Sequence, residues 1–357
     1  MLPFMKPNAK DAVVSVMRSS APTVRLLLHQ PTAPDGDGIL LRSRLQAVGR
    51  RMGFDEVLRE RCVLVAAEML SNQLKYAGGR GFIQIWQTGP HSLDLFALDH
   101  GPGIVNLTWA MQDGMSSKGT LGKGLGSIQR LASCADFFSL PAADAPKGPW
   151  QGTAVWARFC PEEKTRRAGA VDTGMHLRAY GDARENGDGI WLEQQGPVYR
   201  WLHMDALGHG PEADAVRQRV FDHLDLSLPF ERVFEALDRL LKGQRGAVLM
   251  LSELDTRQHV LQFAGVGDMS AQILCGGTAR RLELAEGVVG HLHRQVRLER
   301  VECPLGGAVI TASDGLRGGW TASLPGLARL RAPMQAFLLG NVFGRLNDDQ
   351  SVFVIRW

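Results

Sequence analysis

A chain of 357 residues, 45% hydrophobic and 22% charged, holds material for two buried cores, because domains commonly run about 100–200 residues. A net charge of +3 without a long basic stretch argues against a nucleic-acid partner. Five scattered cysteines without a CxxC pair argue against structural zinc and a disulfide framework, and no apolar run reaches membrane-span or signal-peptide length, so the expectation is a cytoplasmic protein with no membrane role.

In chain order, LLLHQPTAP reads as a strand and turn. From Leu40 to Met69 apolar residues recur at helical spacing, which predicts one helix before Gly53 and another from about Asp55 to Tyr76. GFIQIWQTGPHSLDLFALD alternates on both sides of a Thr-Gly-Pro-His turn and predicts a β-hairpin. A Gly/Ser/Lys-rich stretch, Gly114 to Gly126, leads into SIQRLASCADFF, which reads as helical, and GTAVWARF then reads as a strand. The charged, aperiodic PEEKTRRAGA (161–170) is the linker candidate. Beyond it GIWLEQ, AVLMLSEL, HVLQFAGV, AVITAS and SVFVIRW read as strands, and GPEADAVRQRVFDHL and PFERVFEALDRLLKG as helices. Both halves are mixed, so the fold class is α+β in two domains.

The first chemical constellation lies on the second helix. Glu68 and Asn72 are four residues apart and share one helix face, where the amide can ligate Mg²⁺ without adding charge and the carboxylate can accept a proton. DHGPG follows at a strand end, with Asp99 able to accept from an exocyclic amine and Gly101 and Gly103 permitting close backbone approach. GTLGKGLG, containing Gly122, Gly124 and Gly126, opens a helix and can cradle an anion, although it does not fit the P-loop pattern. Gly152-Thr153 precede the last strand of this half.

Each element alone is ordinary, but in this order they resemble the GHKL ATPase superfamily. More closely, EMLSNQLKYAGG, DHGPGI, AMQDGMSSKGTLGKGLGSIQRL and GTAV are similar to the RsbT-type switch-protein and anti-sigma-factor serine kinases. The resemblance implies a Bergerat-type α/β sandwich over residues 12–160. ATP would bind there, with Glu68 as catalytic base, Asn72 holding Mg²⁺, Asp99 reading the adenine amine with help from Thr153, and the glycines forming the pocket and its lid. A sensor-histidine-kinase reading fails, because His29 sits in a strand-like run with too little chain before it for a dimerisation helix pair.

The second constellation is acidic. Asp188 in NGDG, Asp205 in DALGHG, Asp314 in SDGL and Asp348/Asp349 in NDDQS stand at the ends of expected strands. Hard oxygen ligands converging from strand ends suit Mg²⁺ or Mn²⁺, and two such ions can activate water for attack on a phosphoryl group. The set resembles the PPM-type serine/threonine phosphatases of the SpoIIE/RsbX-like branch, which implies an α-β-β-α sandwich over residues 171–357. By that resemblance Asp205 would bridge two metals, Asp188 and the Ala206 carbonyl would complete one shell, and Asp314 and Asp348 the other. Asp268 would support a weaker third ion, and His209 would stabilise its loop. The chain departs from the family's Asp-Gly start of this loop with Ala206, which is harmless if that residue has negative φ.

Together the resemblances imply a kinase and a metal-dependent phosphatase that set the Ser/Thr phosphorylation of a STAS-domain switch protein in a partner-switching or stressosome-type pathway. An alternative stays open: a nucleotide-gated binding module, acting on a sigma factor or a downstream signalling enzyme, fused to an active or weakened phosphatase. A homodimer is compatible with either.

Overall fold

The computed structural model describes residues 24–33, 37–111, 124–144, 148–161, 171–275 and 278–357. Most of the expected linker, residues 162–170, lies outside them, as does Gly122.

The first half places β1 (Arg25–Pro31), α1 (Asp37–Arg51), α2 (Glu56–Ala77), β2 (Gly81–Gly89), β3 (Ser92–Asp99), α3 (Leu107–Ala110), α4 (Gly124–Leu131), β4 (Cys134–Leu140) and β5 (Gly152–Phe159) around one sheet. Helix α2 starts where Asp55 accepts from the Leu58 N–H at 2.7 Å and stops at Gly78, whose φ is 61°. Between these caps Cys62, Val65, Ala66, Met69, Leu70 and Gln73 recur at helical spacing and are buried. The strands form an antiparallel sheet in the order β1-β2-β3-β5-β4. Ile83, Ile85, Leu93, Leu95 and Val155 point to the helices α1, α2 and α4. SIQRLASCADFF departs from the expectation: the helix ends at Leu131, and Cys134–Leu140 pairs with β5, Ala135 opposite Ala157. An open strand edge recruits this short apolar run, whose local pattern suits either state.

The second half runs β6 (Asp172–Arg178), β7 (Asp188–Gln195), β8 (Val198–Ala206), α5 (Pro211–His223), α6 (Phe230–Leu241), β9 (Ala247–Asp255), β10 (Val260–Val266), β11 (Ser270–Cys275), β12 (Thr278–Arg281), β13 (Glu299–Glu302), β14 (Ala308–Ala312), α7 (Trp320–Ser323), α8 (Ala332–Phe343) and β15 (Gln350–Arg356). Two five-stranded sheets, β13-β10-β9-β8-β7 and β12-β11-β14-β15-β6, face each other across Trp201, Met250, Phe263, Val309 and Phe353. Strand alternation sends Leu202, Met204 and Ala206 of β8 outward to α5 and α6. On the opposite sheet Ala308, Ile310, Val352 and Val354 face outward onto α8.

Helix α8 also packs against the first half. The outer face of the N-terminal sheet (Trp86, Phe96, Phe138 and Trp156) joins α8 and the second sandwich sheet in one apolar cluster. Phe337 stacks on Phe96 with ring centroids 4.4 Å apart, and Gln84 donates to Asn341 at 2.9 Å. His29 also lies here, its Nδ1 3.0 Å from the Gln84 amide nitrogen. On its other side α8 seats on β6 through Gly340, since a Cβ there would overlap the His176 ring. The resulting order of layers is helices, sheet, α7/α8, sheet, sheet, helices. The two halves therefore share a core.

Candidate functional site

Two sites emerge, one in each half. The first is a cavity of about 570 Å³ on the helix side of the N-terminal sheet, lined by Met69, Asn72, Tyr76, Asp99, Gly103, Trp109, Gly124, Thr153 and Val155. Its floor is set by Asp99 at the end of β3. Both Gly101 N–H (2.8 Å) and Thr153 N–H (3.1 Å) donate to Asp99 Oδ1, which leaves Oδ2 to accept from a ligand amine. Burial raises the Asp99 carboxyl above the ordinary carboxylate range, and these two hydrogen bonds pull it part of the way back. Gly152 is required beside it, because a Cβ would overlap the Asp99 carbonyl. Ser139 ties the two motifs together: its hydroxyl accepts from Ile104 N–H at 2.7 Å, donates to the Gly152 carbonyl at 3.0 Å and lies 3.1 Å from the Thr153 hydroxyl.

Glu68 and Asn72 meet the start of α4 above this floor. A Cβ built on Gly124 would come within 3.0 Å of Glu68 Oε2 and 3.4 Å of Asn72 Oδ1. The glycine thus lets the helix N-terminus close over a carboxylate and an amide oxygen. Next to Asn72, Gln73 is buried and donates to the Phe82 and Leu98 carbonyls, both at 3.0 Å, while Thr32 donates to its Oε1. That clamp fixes the register of α2 against the sheet. Of the residues expected from sequence, Asn72, Asp99, Gly103, Gly124 and Thr153 line the cavity; Glu68 borders it beside Gly124, while Gly101 and Gly126 do not line it. Tyr76, Trp109 and Ser139 went unread because nothing in their local pattern sets them apart.

The second site lies at one end of the sandwich. Asp188 and Asp205 are cross-strand partners at the ends of β7 and β8, and Asp314 and Asp348 follow β14 and precede β15. Burial raises the Asp205 carboxyl, and the charges of Asp188, Asp314 and Asp348 raise it further. Asp188 is raised in the same way by burial, against hydrogen bonds from Ser351 and Ser313, and Asp314 by burial with Asp348 and Asp268 nearby. A cation placed among these carboxylates would offset the repulsion that falls on Asp205. Among the described residues no three His, Cys, Asp or Glu side chains are gathered tightly enough to hold an ion as they stand. The donor set nonetheless fits a hard divalent ion, and Asp188 Oδ1 is buried without a hydrogen-bond partner.

Ala206 carries no strain, because His259 is the one non-glycine with positive φ among the described residues. It ends β8 fully buried, with its N–H donating to the Gly187 carbonyl at 3.2 Å. Asp349 is structural: its Oδ1 accepts from Tyr180 N–H and its Oδ2 from Gly187 N–H, both at 2.7 Å. His209 is exposed on its loop and lies against the Tyr180 ring at 4.6 Å. No helix among the described residues is long and apolar enough to cross a membrane.

No family model matches the chain. A stretch of 106 residues is 36% identical to the serine/threonine-protein kinase RsbT of Bacillus subtilis (strain 168), spanning 29% of this chain and 77% of the relative. Through that stretch the chain belongs to the family of RsbT. Similar solved structures include one described under the bacterial stressosome as a modular system adapted to control secondary messenger signaling (28% identity, 53% of this chain, 100% of that chain, TM-score 0.49). RsbX in complex with magnesium is similar at 16% identity over 52% of this chain and 94% of that chain (TM-score 0.44). The PP2C phosphatase domain of SpoIIE from Bacillus subtilis, with a fragment of its regulatory domain, is similar at 15% identity over 90% of this chain and 95% of that chain (TM-score 0.43).

Proposed function

We propose that this chain sets the Ser/Thr phosphorylation state of a STAS-domain switch protein, adding phosphate from ATP at the N-terminal cavity and removing it at the acidic site. The observation that carries this reading is the coexistence, in one shared-core molecule, of a Glu68/Asn72/Asp99 cavity and a carboxylate cluster at the sandwich end in which Asp188, Asp314 and Asp348 disfavour ionisation of Asp205. The family tie to RsbT supports the kinase half and a place in partner-switching signalling.

In the kinase half, Asp99 Oδ2 would accept the adenine amine while its Oδ1 stays fixed by the Gly101 and Thr153 N–H groups. Glu68 would take the proton from the attacking serine or threonine hydroxyl, and the Asn72 amide oxygen would hold Mg²⁺ beside the phosphates. Gly124 and the N-terminus of α4 would bring backbone N–H groups to the phosphate end. When bound, Mg²⁺ supplies charge neutralisation for the transferring group. In the phosphatase half, Asp188, Asp205, Asp314, Asp348 and the Ala206 carbonyl would hold Mn²⁺ or Mg²⁺. Such ions supply a more acidic water and a clamp for the phosphoryl oxygens. The burial that disfavours ionisation of Asp188, Asp205 and Asp314 on their own would then strengthen their hold on cations.

The test is a paired assay with radiolabelled ATP and a purified STAS-domain protein of the same organism. The expected result is label on the partner that Mn²⁺ then causes the same chain to release. A partner that binds but takes no label would refute the kinase half. Absence of Mn²⁺-dependent hydrolysis of both the phosphorylated partner and an aryl phosphate would refute the other.

A further inference from the structure

Strand alternation puts Asp188, His203, Asp205, Thr311, Ser313 and Ser351 on the inner faces of the two sandwich sheets, at one end of an otherwise apolar interior. His203 is fully buried there. Its Nδ1 lies 2.7 Å from Thr311 Oγ1 and its Nε2 2.8 Å from Ser351 Oγ. Ser351 Oγ in turn donates to Asp188 Oδ2 at 2.7 Å. A filler side chain would need none of these bonds, and burying an imidazole is costly unless both nitrogens are satisfied.

Proton counting gives the string a direction. Ser351 has one hydroxyl proton and spends it on Asp188, so its oxygen accepts from His203 Nε2–H. A neutral imidazole has one ring proton, here given to Ser351, so Nδ1 accepts from the Thr311 hydroxyl. Every donor therefore points toward Asp188. The string occupies Oδ2 and leaves Oδ1 buried without a protein partner. Asp349 fixes the same loop from the other side through Gly187 N–H.

We propose that Thr311, His203 and Ser351 form a positioning relay that locks the Asp188 carboxylate in one orientation, with Oδ1 presented to a divalent cation. The inference rests on the metal-site reading above, and its residues act through Asp188. Outer-shell partners of this kind typically set metal affinity about 10–100-fold.

The test is Mn²⁺ binding to the full chain without substrate, read from the electron paramagnetic resonance signal of free Mn²⁺. Ser351→Ala and His203→Phe are expected to weaken binding by about 10–100-fold while the protein still melts cooperatively. Thr311→Val, which keeps the shape and removes the far end of the string, is expected to shift affinity in the same direction by less. His203→Gln, able to donate to Ser351 again, is expected to recover part of the loss. Wild-type affinity in folded Ser351→Ala and Thr311→Val would overturn the relay while leaving the metal site standing. No Mn²⁺ binding by the wild-type chain would overturn the metal site and the relay with it. If His203→Phe does not fold, the other three variants still decide.

Discussion

Replacing Phe337 by alanine removes a ring that stacks on Phe96 at 4.4 Å and lies 6.2 Å from Phe82, in a position 2% exposed. Emptying such a site costs about 3–5 kcal/mol, because the neighbours cannot collapse fully into the space. The ring touches the N-terminal sheet from a helix of the C-terminal half, so the loss should be felt by both. Unfolding entropy scales with the length of chain that melts together. The same loss lowers Tm by about 5 °C if all 357 residues unfold as one unit, and by about 10 °C if the C-terminal half melts alone. Differential scanning calorimetry with and without ATP separates these cases. The expected result is one transition that ATP raises, shifted by the smaller amount in Phe337→Ala. Two transitions, with the ATP-sensitive one untouched by the substitution, would refute the shared core as an energetic unit.

Glu68→Gln should keep ATP binding yet slow phosphoryl transfer by about 10²–10⁴-fold, the usual worth of a general base, as measured by label transfer to the partner; an undiminished rate would remove Glu68 from that role. Because burial and neighbouring carboxylates raise the Asp205 carboxyl, the folded chain holds a proton that the unfolded chain releases, so this residue makes the metal-free protein less stable as pH rises. Asp205→Asn should therefore melt higher than wild type in chelator, by a margin that grows from about pH 5 to about pH 8, and should lose the Tm gain on Mn²⁺ addition; a margin that shrinks with pH contradicts the repulsion argument. Ala206→Gly should lower stability by about 0.5–1 kcal/mol in chemical denaturation without tightening Mn²⁺ binding, since Ala206 already has negative φ; tighter binding would show that the alanine does weaken the site.

The parts of the fold written in local chemistry were legible in the sequence. Capped α2, the β2–β3 hairpin and amphipathic α6 have clear periods and stops, and each stands where its pattern places it. The ordered motifs around Asn72, Asp99, Gly124 and Thr153 do converge on one cavity. Two features were not legible. Every residue of APMQAFLLGNVF except Asn341 is buried, since α8 is covered by a sheet on each flank, and a helix without an exposed polar face has no amphipathic period to detect. The polar string behind Asp188 comes from β7, β8, β14 and β15, so its members are joined by sheet register rather than by spacing along the chain. YRWLHMDA is not among the strands read from the sequence, so nothing local marks His203, and only hydrogen bonds separate Asp349 from its neighbour Asp348.

The layering also bears on how the chain is made. The N-terminal sheet is complete at Phe159, but the helix that covers its aromatic face ends at Phe343. At ordinary translation rates of about 5–20 residues per second, Trp86, Phe96, Phe138 and Trp156 wait on the order of 10–40 s for their cover. A nascent N-terminal half thus leaves the ribosome with this aromatic face uncovered. Premature termination before α8 should yield aggregate rather than a free, soluble N-terminal half.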